Sequence, residues 1–216
     1  KNKYQETLNV GDESYDPLFA FGYGLNYSST VTVEEIAINS ESELPQEYEF
    51  FRGQALGTNK EFISSDGVFE FVESNPFVLS NNAVEVSLFQ YLKQDDSKLI
   101  KFKNEGLSGY GITGESLNVR HLDNPYIEIV LSSSSSSPVY FNMGCGDNCQ
   151  ASVDLGNVSD DWETKTIPLA CLDSQGFDRS KISIRGMFLL PEKAELKVHT
   201  IKLKSNFSGA NKIESC

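Results

Sequence analysis

The chain is dominated by short segments in which hydrophobic and polar residues alternate. Residues 84–92 begin Val-Glu-Val-Ser-Leu, with a hydrophobic residue at every second position, as in a strand buried on one face. Further segments of strand length are rich in β-branched and aromatic residues. They are residues 31–38, 67–73, 99–102, 126–131, 139–143, 152–155, 163–167, 182–190 and 195–204. This pattern predicts a chain built from β-strands.

Turn-forming residues separate these segments at intervals of about ten residues. Asn75-Pro76, Asn124-Pro125, Asp173-Ser174 and Pro191 are examples, and no sustained helical period competes with the strand pattern. Antiparallel strands joined by short turns commonly pack as two face-to-face sheets. We therefore expect an all-β fold, a two-sheet antiparallel β-sandwich of the jelly-roll kind.

A run of six serines, Ser132 to Ser137, precedes Pro138. Such a low-complexity segment between two predicted strands is typical of a flexible loop. Contact between the serine hydroxyls and a sugar is the alternative interpretation.

Composition and charge narrow the classes of partner. The 216-residue chain has a formal net charge of −13, whereas nucleic acids and anionic membrane surfaces attract basic proteins. We therefore expect no nucleic acid partner, and no apolar run is long enough to span a membrane. An acidic surface is compatible with a neutral polysaccharide, although solubility explains it equally well.

The four cysteines are too few for a scaffold held together by disulfides, but they allow one or two bridges. Cys145 and Cys149 flank the turn-forming triplet Gly-Asp-Asn and favour a bridge across the neck of a hairpin, worth about 2 kcal/mol for so small a loop. Cys171, in a predicted strand end, is expected to be a buried small hydrophobe and remains the alternative partner. Zinc ligation by this spacing is a weak competitor.

Three aromatic residues are candidates for contact with sugar rings. Tyr110 lies between two glycines and is expected in an exposed loop, where aromatic rings bind the apolar faces of sugars. Trp162, the only tryptophan, precedes a predicted strand, so a structural role competes with a binding role. Tyr126 begins a strand-like run, and Tyr91 is expected to pack.

No residue pattern in the chain predicts catalysis. Neither histidine has a plausible serine or cysteine nucleophile near it in sequence, and no catalytic residue is assigned. No cofactor is expected, although a structural Ca²⁺ bound by clustered carboxylates is an alternative. Its candidate ligands are Asp95, Asp96, Asp160 and Asp161.

The segment Pro17-Leu-Phe-Ala-Phe-Gly-Tyr-Gly-Leu-Asn-Tyr27 resembles the string that closes the α/β domain of glycoside hydrolase family 3. The resemblance implies that residues 1–27 are the end of that domain and that residues 28–216 form the next domain. The family's nucleophile is an Asp of an earlier barrel domain. Ser159-Asp160-Asp161-Trp162 is similar to the nucleophile's surroundings, but its late position in the sandwich makes the likeness a coincidence.

A second resemblance covers the C-terminal half. Residues 94–97, 142–149, 162–172, 176–178 and 197–204 are similar, in that order, to the ExoP-type galactose-binding-like domain, which follows the α/β domain in bacterial family 3 β-glucosidases and exo-β-glucanases. The Met-Gly-Cys-Gly-x-x-Cys element at 143–149 and the Trp-x-x-x-x-x-Pro-Leu-x-Cys element at 162–171 are its specific parts. The resemblance implies a periplasmic or secreted bacterial protein.

Three functions are compatible with these observations. The first is a non-catalytic accessory domain of a family 3 exo-β-glucan glucohydrolase, which packs on the upstream catalytic domains and contacts β-glucan. The second is an autonomous carbohydrate-binding module for β-glucan, and the third is a structural or assembly module without a ligand. By itself the chain is not expected to be an enzyme.

Overall fold

The computed structural model describes residues 6–9, 30–33, 44–65, 68–71, 78–93, 96–103 and 106–208. The chain divides into two compact units, Lys1–Glu43 and Leu44–Cys216. In the first unit, β1 (Glu6–Asn9) pairs antiparallel with β2 (Thr30–Val33). The glycosidase-like string at residues 17–27 lies outside the described residues, and the boundary after residue 27 stays a prediction.

The second unit consists almost entirely of strands. In chain order they are β3 (Glu47–Arg52), β4 (Lys60–Ser65), β5 (Val68–Phe71), β6 (Val78–Ser80), β7 (Val84–Phe89), β8 (Ser97–Phe102), β9 (Ser108–Leu117), β10 (Tyr126–Ser133), β11 (Tyr140–Gly144), β12 (Gln150–Asp154), β13 (Glu163–Pro168), β14 (Ile182–Leu190) and β15 (Ala194–Lys204). One short helix, α1 (Leu169–Asp173), follows β13. No helix in the described part of the chain is long and apolar enough to cross a membrane.

These strands form two antiparallel sheets. The seven-stranded sheet has the order β13-β10-β15-β8-β7-β6, with β3 also paired to β15, and the six-stranded sheet has the order β12-β11-β14-β9-β4-β5. Alternate residues of β10, such as Ile127 and Ile129, are fully buried between the sheets, in one core with residues such as Phe141 and Phe188 of the other sheet. The predicted two-sheet β-sandwich is confirmed.

Strand β15 contains a β-bulge at His199. Val130 of β10 pairs with Thr200 and Leu131 pairs with Val198, so His199 is an extra residue without a partner on β10. At the same point β15 changes its other neighbour, from β8 to β3. Val198 stays buried in the core, and the bulge places His199 on the opposite side.

The serine run is ordered by a carboxylate and is not the free loop expected from its composition. Ser132 and Ser133 belong to β10 and are buried. Glu192 Oε1 accepts hydrogen bonds from the Ser135 hydroxyl at 2.8 Å and from the backbone N–H groups of Ser136 and Ser137 at 2.8 and 3.0 Å. These bonds, led by the Ser135 hydroxyl, lower the pKa of the Glu192 carboxyl to about 2. Because Glu192 comes from a distant turn, the serine run gave no sign of this order.

Candidate functional site

Tyr110 lies in β9 and is fully buried, so the expectation of an exposed loop aromatic is wrong. Its ring meets Phe51 edge-on, with 6.4 Å between the centroids. Burial, reinforced by the nearby carboxylate of Glu61, raises the pKa of the Tyr110 hydroxyl well above its ordinary value. The flanking glycines serve close packing in a central strand, since a Cβ at Gly111 would lie 2.5 Å from the ring of Phe62.

Tyr126 opens β10 and is half-buried, with its ring centroid 5.4 Å from that of Phe207. The other end of β10 lies beside the start of β13, where Leu131 pairs with Glu163. That end is roughly 17 Å away along the strand. The structure therefore does not bring Tyr126 together with Trp162.

Trp162 belongs to an aromatic group that we call the His199 cluster, consisting of Tyr91, Trp162 and His199. The rings of Tyr91 and Trp162 pack against each other at a tilt of 35°, with centroids 4.2 Å apart, and the imidazole of His199 meets Tyr91 edge-on at 4.9 Å and Trp162 at 6.4 Å. All three side chains are half-buried. The residues come from three places in the sequence: just after β7, just before β13, and the bulge of β15.

The cluster lies on the side of the seven-stranded sheet that faces away from the core. Beside it, Lys197 of β15 places its ammonium 5.4 Å from the centre of the Phe89 ring. Leu92, next to Tyr91 in sequence, is one of the most exposed large hydrophobic residues described. The cluster therefore combines aromatic surface with an apolar rim that is open to solvent.

Asp96 fixes the turn that carries Tyr91. Its carboxylate accepts hydrogen bonds from the backbone N–H groups of Tyr91, Leu92 and Lys93 at 2.8–2.9 Å. Burial by itself would raise the pKa of the Asp96 carboxyl, but these three backbone hydrogen bonds hold it below its ordinary value. Asp96 is a positioning residue for the aromatic cluster.

The carboxylates proposed as calcium ligands do not form a cluster in the described part of the chain. The oxygens of Asp96 are occupied by the backbone of its own turn, Asp160 and Asp161 are exposed, and Asp95 lies outside the described residues. Within the described residues no group of three or more His, Cys, Asp or Glu side chains could hold a metal ion.

Ser97, His199 and Asp96 lie together but do not form a catalytic triad. The Ser97 hydroxyl is 3.3 Å from Nδ1 of His199, and that same nitrogen lies 2.7 Å from the backbone carbonyl oxygen of Asp96. A triad needs the serine on one ring nitrogen and the carboxylate on the other. Here both neighbours meet the same nitrogen, and Ser97 is fully buried.

Three polar atoms of the His199 cluster are open to a ligand. They are the Tyr91 hydroxyl, Trp162 Nε1 and His199 Nε2, and no described residue hydrogen-bonds to them. The only buried side-chain polar atoms without a partner among the described residues are the hydroxyls of Tyr110 and Ser132, so the three cluster atoms reach solvent. The cluster thus offers one N–H donor, one hydroxyl and one further ring nitrogen next to two packed aromatic rings.

Elsewhere on this side of the sheet, neighbouring charged side chains are paired with each other. Lys204 binds Glu128 at 2.7 Å and Lys202 binds Glu47 at 3.1 Å. Paired charges of this kind leave fewer hydrogen-bonding positions for a ligand. The unpartnered atoms make the His199 cluster the best candidate site on this surface.

The hairpin between β11 and β12 contains the disulfide Cys145–Cys149, with Cα atoms 5.0 Å apart, as favoured from the sequence. The turn uses left-handed backbone conformations at Gly146 (φ 93°) and Asn148 (φ 56°). Cys171, the alternative partner, is not part of this bridge. It lies buried in α1 and not in a strand end, and it is itself disulfide-bonded, so the expectation of a small hydrophobe outside any bridge is wrong.

Comparison with known families now identifies the fold. The model of the galactose-binding domain-like family Exop_C matches residues 60–203. The chain belongs to this family. No curated protein matches the chain.

Solved structures share the fold of this Exop_C chain at low sequence identity. The exo-1,3/1,4-beta-glucanase ExoP from a Pseudoalteromonas species matches 95% of the chain with a TM-score of 0.62 and 16% identity, and the chain spans only 26% of that enzyme. The extra C-terminal domain of the same enzyme gives a TM-score of 0.62 at 11% identity, covering 78% of this chain and 98% of that domain.

A carbohydrate-binding module has the same architecture. The family 11 module from Clostridium thermocellum, in complex with a beta-1,3-1,4-mixed-linked tetrasaccharide, gives a TM-score of 0.51 at 12% identity. It matches 74% of this chain and 96% of the module. Identities this low establish a shared fold and no more.

Proposed function

We propose that this chain is a non-catalytic accessory domain that binds a β-glucan chain through the His199 cluster. The observation that carries the proposal is the tilted ring pair of Tyr91 and Trp162, with centroids 4.2 Å apart, beside unpartnered polar atoms. Sugar sites combine aromatic surface, which covers the apolar face of a pyranose ring, with a few polar groups that fix its orientation.

The ligand class follows from the surface and from the neighbouring folds. The net charge of −13 disfavours acidic polysaccharides and is compatible with a neutral glucan. One structural neighbour is a carbohydrate-binding module in complex with a beta-1,3-1,4-mixed-linked tetrasaccharide. We propose a neutral β-1,3/1,4-linked glucan as the ligand.

The same proposal assigns the chain to a larger enzyme. The fold matches a region that makes up 26% of an exo-1,3/1,4-beta-glucanase, and residues 17–27 resemble the closing string of the α/β domain in family 3 glycoside hydrolases. We propose that the chain follows the catalytic domains of such an enzyme. The Cys145–Cys149 disulfide fits a periplasmic or secreted protein, because disulfides persist in oxidising compartments.

Calorimetric titration of the chain with a β-1,3-1,4-linked glucotetraose tests the binding proposal. We expect saturable binding that Trp162→Ala weakens by at least about tenfold, because the substitution removes the larger ring of the Tyr91–Trp162 pair. Phe71→Ala is the matched control: it removes an exposed aromatic ring from the other sheet and should leave the affinity unchanged. No heat at millimolar sugar would overturn the proposal.

The absence of catalysis is tested separately with an aryl β-glucoside. The isolated chain should release no aryl product above the uncatalysed rate. Release at an enzyme-like rate would contradict the non-catalytic role. The titration would still test the sugar-binding site separately.

A further inference from the structure

The contact at Nδ1 determines which nitrogen of the neutral His199 ring carries the proton. Nδ1 lies 2.7 Å from the backbone carbonyl oxygen of Asp96. A carbonyl oxygen can only accept a hydrogen bond, so Nδ1 carries the proton and donates it. In the neutral ring the other nitrogen, Nε2, then has a free lone pair.

The free nitrogen is available to a ligand. Nε2 has no hydrogen-bond partner among the described residues and reaches solvent. The ring itself is held in place, since its side chain is only 12% exposed and lies edge-on against Tyr91. A rigid acceptor therefore lies next to the Tyr91–Trp162 ring pair.

The β-bulge explains why this acceptor faces outward. Val198 and Ile201 both point into the core, and two residues instead of one separate them. The extra residue is His199, and its carbonyl oxygen accepts a hydrogen bond from the backbone N–H of Gly53 at 3.1 Å. Both the backbone and the side chain of His199 are thus anchored, leaving only Nε2 free. Bulges commonly aim a side chain in this way.

We propose that His199 is a specificity-determining residue of the carbohydrate site: its Nε2 accepts a hydrogen bond from a ring hydroxyl of a glucosyl unit bound at the Tyr91–Trp162 ring pair. This inference rests on the proposed function and names the atom that recognises the sugar. The Nε1–H group of Trp162 complements this acceptor by donating a hydrogen bond to a sugar oxygen. The site therefore recognises a hydroxyl donor on the sugar as well as an apolar face.

The variant His199→Asn tests the role of Nε2. Asparagine keeps an amide N–H near the position of Nδ1 and can still donate to the Asp96 carbonyl, but it has no atom at the position of Nε2. We expect the folded variant to bind β-1,3-1,4-linked glucotetraose about five- to tenfold more weakly than the original chain. His121→Asn is the matched control, because Nε2 of the chain's other histidine already bonds to the backbone carbonyl of Pro45 at 3.0 Å.

A second measurement uses the unsubstituted chain and follows the ¹⁵N signal of His199 Nε2. In the ¹⁵N spectrum of the unsubstituted chain, the unprotonated Nε2 of His199 should shift as glucotetraose is added. The signal is assigned by its disappearance in His199→Asn. A purely structural histidine would keep its Nε2 signal in place.

The outcomes separate the two proposals. Weaker binding by His199→Asn together with a moving Nε2 signal supports the role of His199. Unchanged affinity and a stationary Nε2 signal, with binding still lost in Trp162→Ala, overturn the role of His199 and leave the carbohydrate site standing. No binding by the unsubstituted chain overturns both.

Discussion

Two aromatic groups lie on the two sheets of the sandwich, and they differ in what surrounds their rings. The His199 cluster carries three unpartnered polar atoms and is anchored by Asp96. The second group, which we call the phenylalanine edge, consists of Phe62, Phe69 and Phe71 on β4 and β5. Phe62 is 1% exposed beneath the other two, and no hydrogen-bonding side-chain atom belongs to this group.

The proposed function depends on this difference, because a sugar site needs polar groups as well as aromatic rings. Phe69 and Phe71 are more exposed, at 48% and 55%, than the half-buried Trp162. Exposure by itself would therefore favour the phenylalanine edge. A sugar is covered with hydroxyls, however, and a surface without polar atoms leaves them unpaired. The cluster satisfies both requirements, and the edge satisfies one.

The largest expected effect is on the phenylalanine edge. Phe62→Ala should lower the free energy of unfolding by about 3–4 kcal/mol, because it leaves a cavity beneath Phe69 and Phe71. Chemical denaturation measures this change. The folded fraction should keep the glucotetraose affinity of the original chain. A large loss of affinity in folded protein would show that the phenylalanine edge contributes to binding, contrary to the proposal.

Asp96→Ala should have the second-largest effect, and unlike Phe62→Ala it should change both stability and binding. Removing the acceptor leaves three backbone N–H groups of the Tyr91 turn without a partner, at a cost of about 2 kcal/mol. The affinity for glucotetraose should fall together with the stability, because the turn no longer holds Tyr91 in position. Asp160→Ala is the control, since this carboxylate is exposed and makes no described contact. Equal behaviour of the two variants would contradict the positioning role.

The stability supplied by Asp96 should also depend on pH. The pKa of its carboxyl is lower in the folded state than in the unfolded chain, so its contribution is fully present above the ordinary value of about 3.9. It is lost as the pH falls through the folded-state pKa. The difference in stability between the original chain and Asp96→Ala should therefore be constant from about pH 6 to 7 and shrink below about pH 4. A difference that persists at about pH 2 would argue against the ionised form as the stabilising species.

The smallest effect is expected for Phe71→Ala. Because 55% of this residue is exposed, the change should cost less than about 1.5 kcal/mol of unfolding free energy. It should leave glucotetraose binding unchanged. Weakened binding in this variant would place the sugar site on the six-stranded sheet, at the phenylalanine edge and not at the His199 cluster.

Strands with a clear two-residue period could be predicted from the sequence. Residues 182–190 match β14 at both ends, and most other segments differ from the observed strands by one to three residues at an end. Strands β3, β4, β6 and β9 were not predicted, and β9 was missed because Gly109-Tyr110-Gly111 is typical of a loop. The glycines instead allow Phe62 and Leu189 to approach the backbone, a packing requirement that no local pattern reveals.

The site was harder to predict than the fold. Trp162 was identified as a candidate, but Tyr91 was expected to pack, and His199 was considered only as a triad member. One signal was present: the buried positions of β15, Leu196 and Val198 followed by Ile201 and Leu203, skip a step at His199. Such a shift in a two-residue period indicates a bulge.

The sequence by itself determined the all-β fold, the Cys145–Cys149 bridge and the identity of one aromatic candidate. Each depends on local information: the alternation of buried residues, a turn between two nearby cysteines, and residue type. Tertiary structure decided which aromatic residues are buried and which polar atoms lack partners. Tyr110 and Trp162 are chemically similar, but one lies in a central strand and the other beside a bulge. Pairing between strands far apart in the chain makes that difference, so sequence spacing alone could not reveal it.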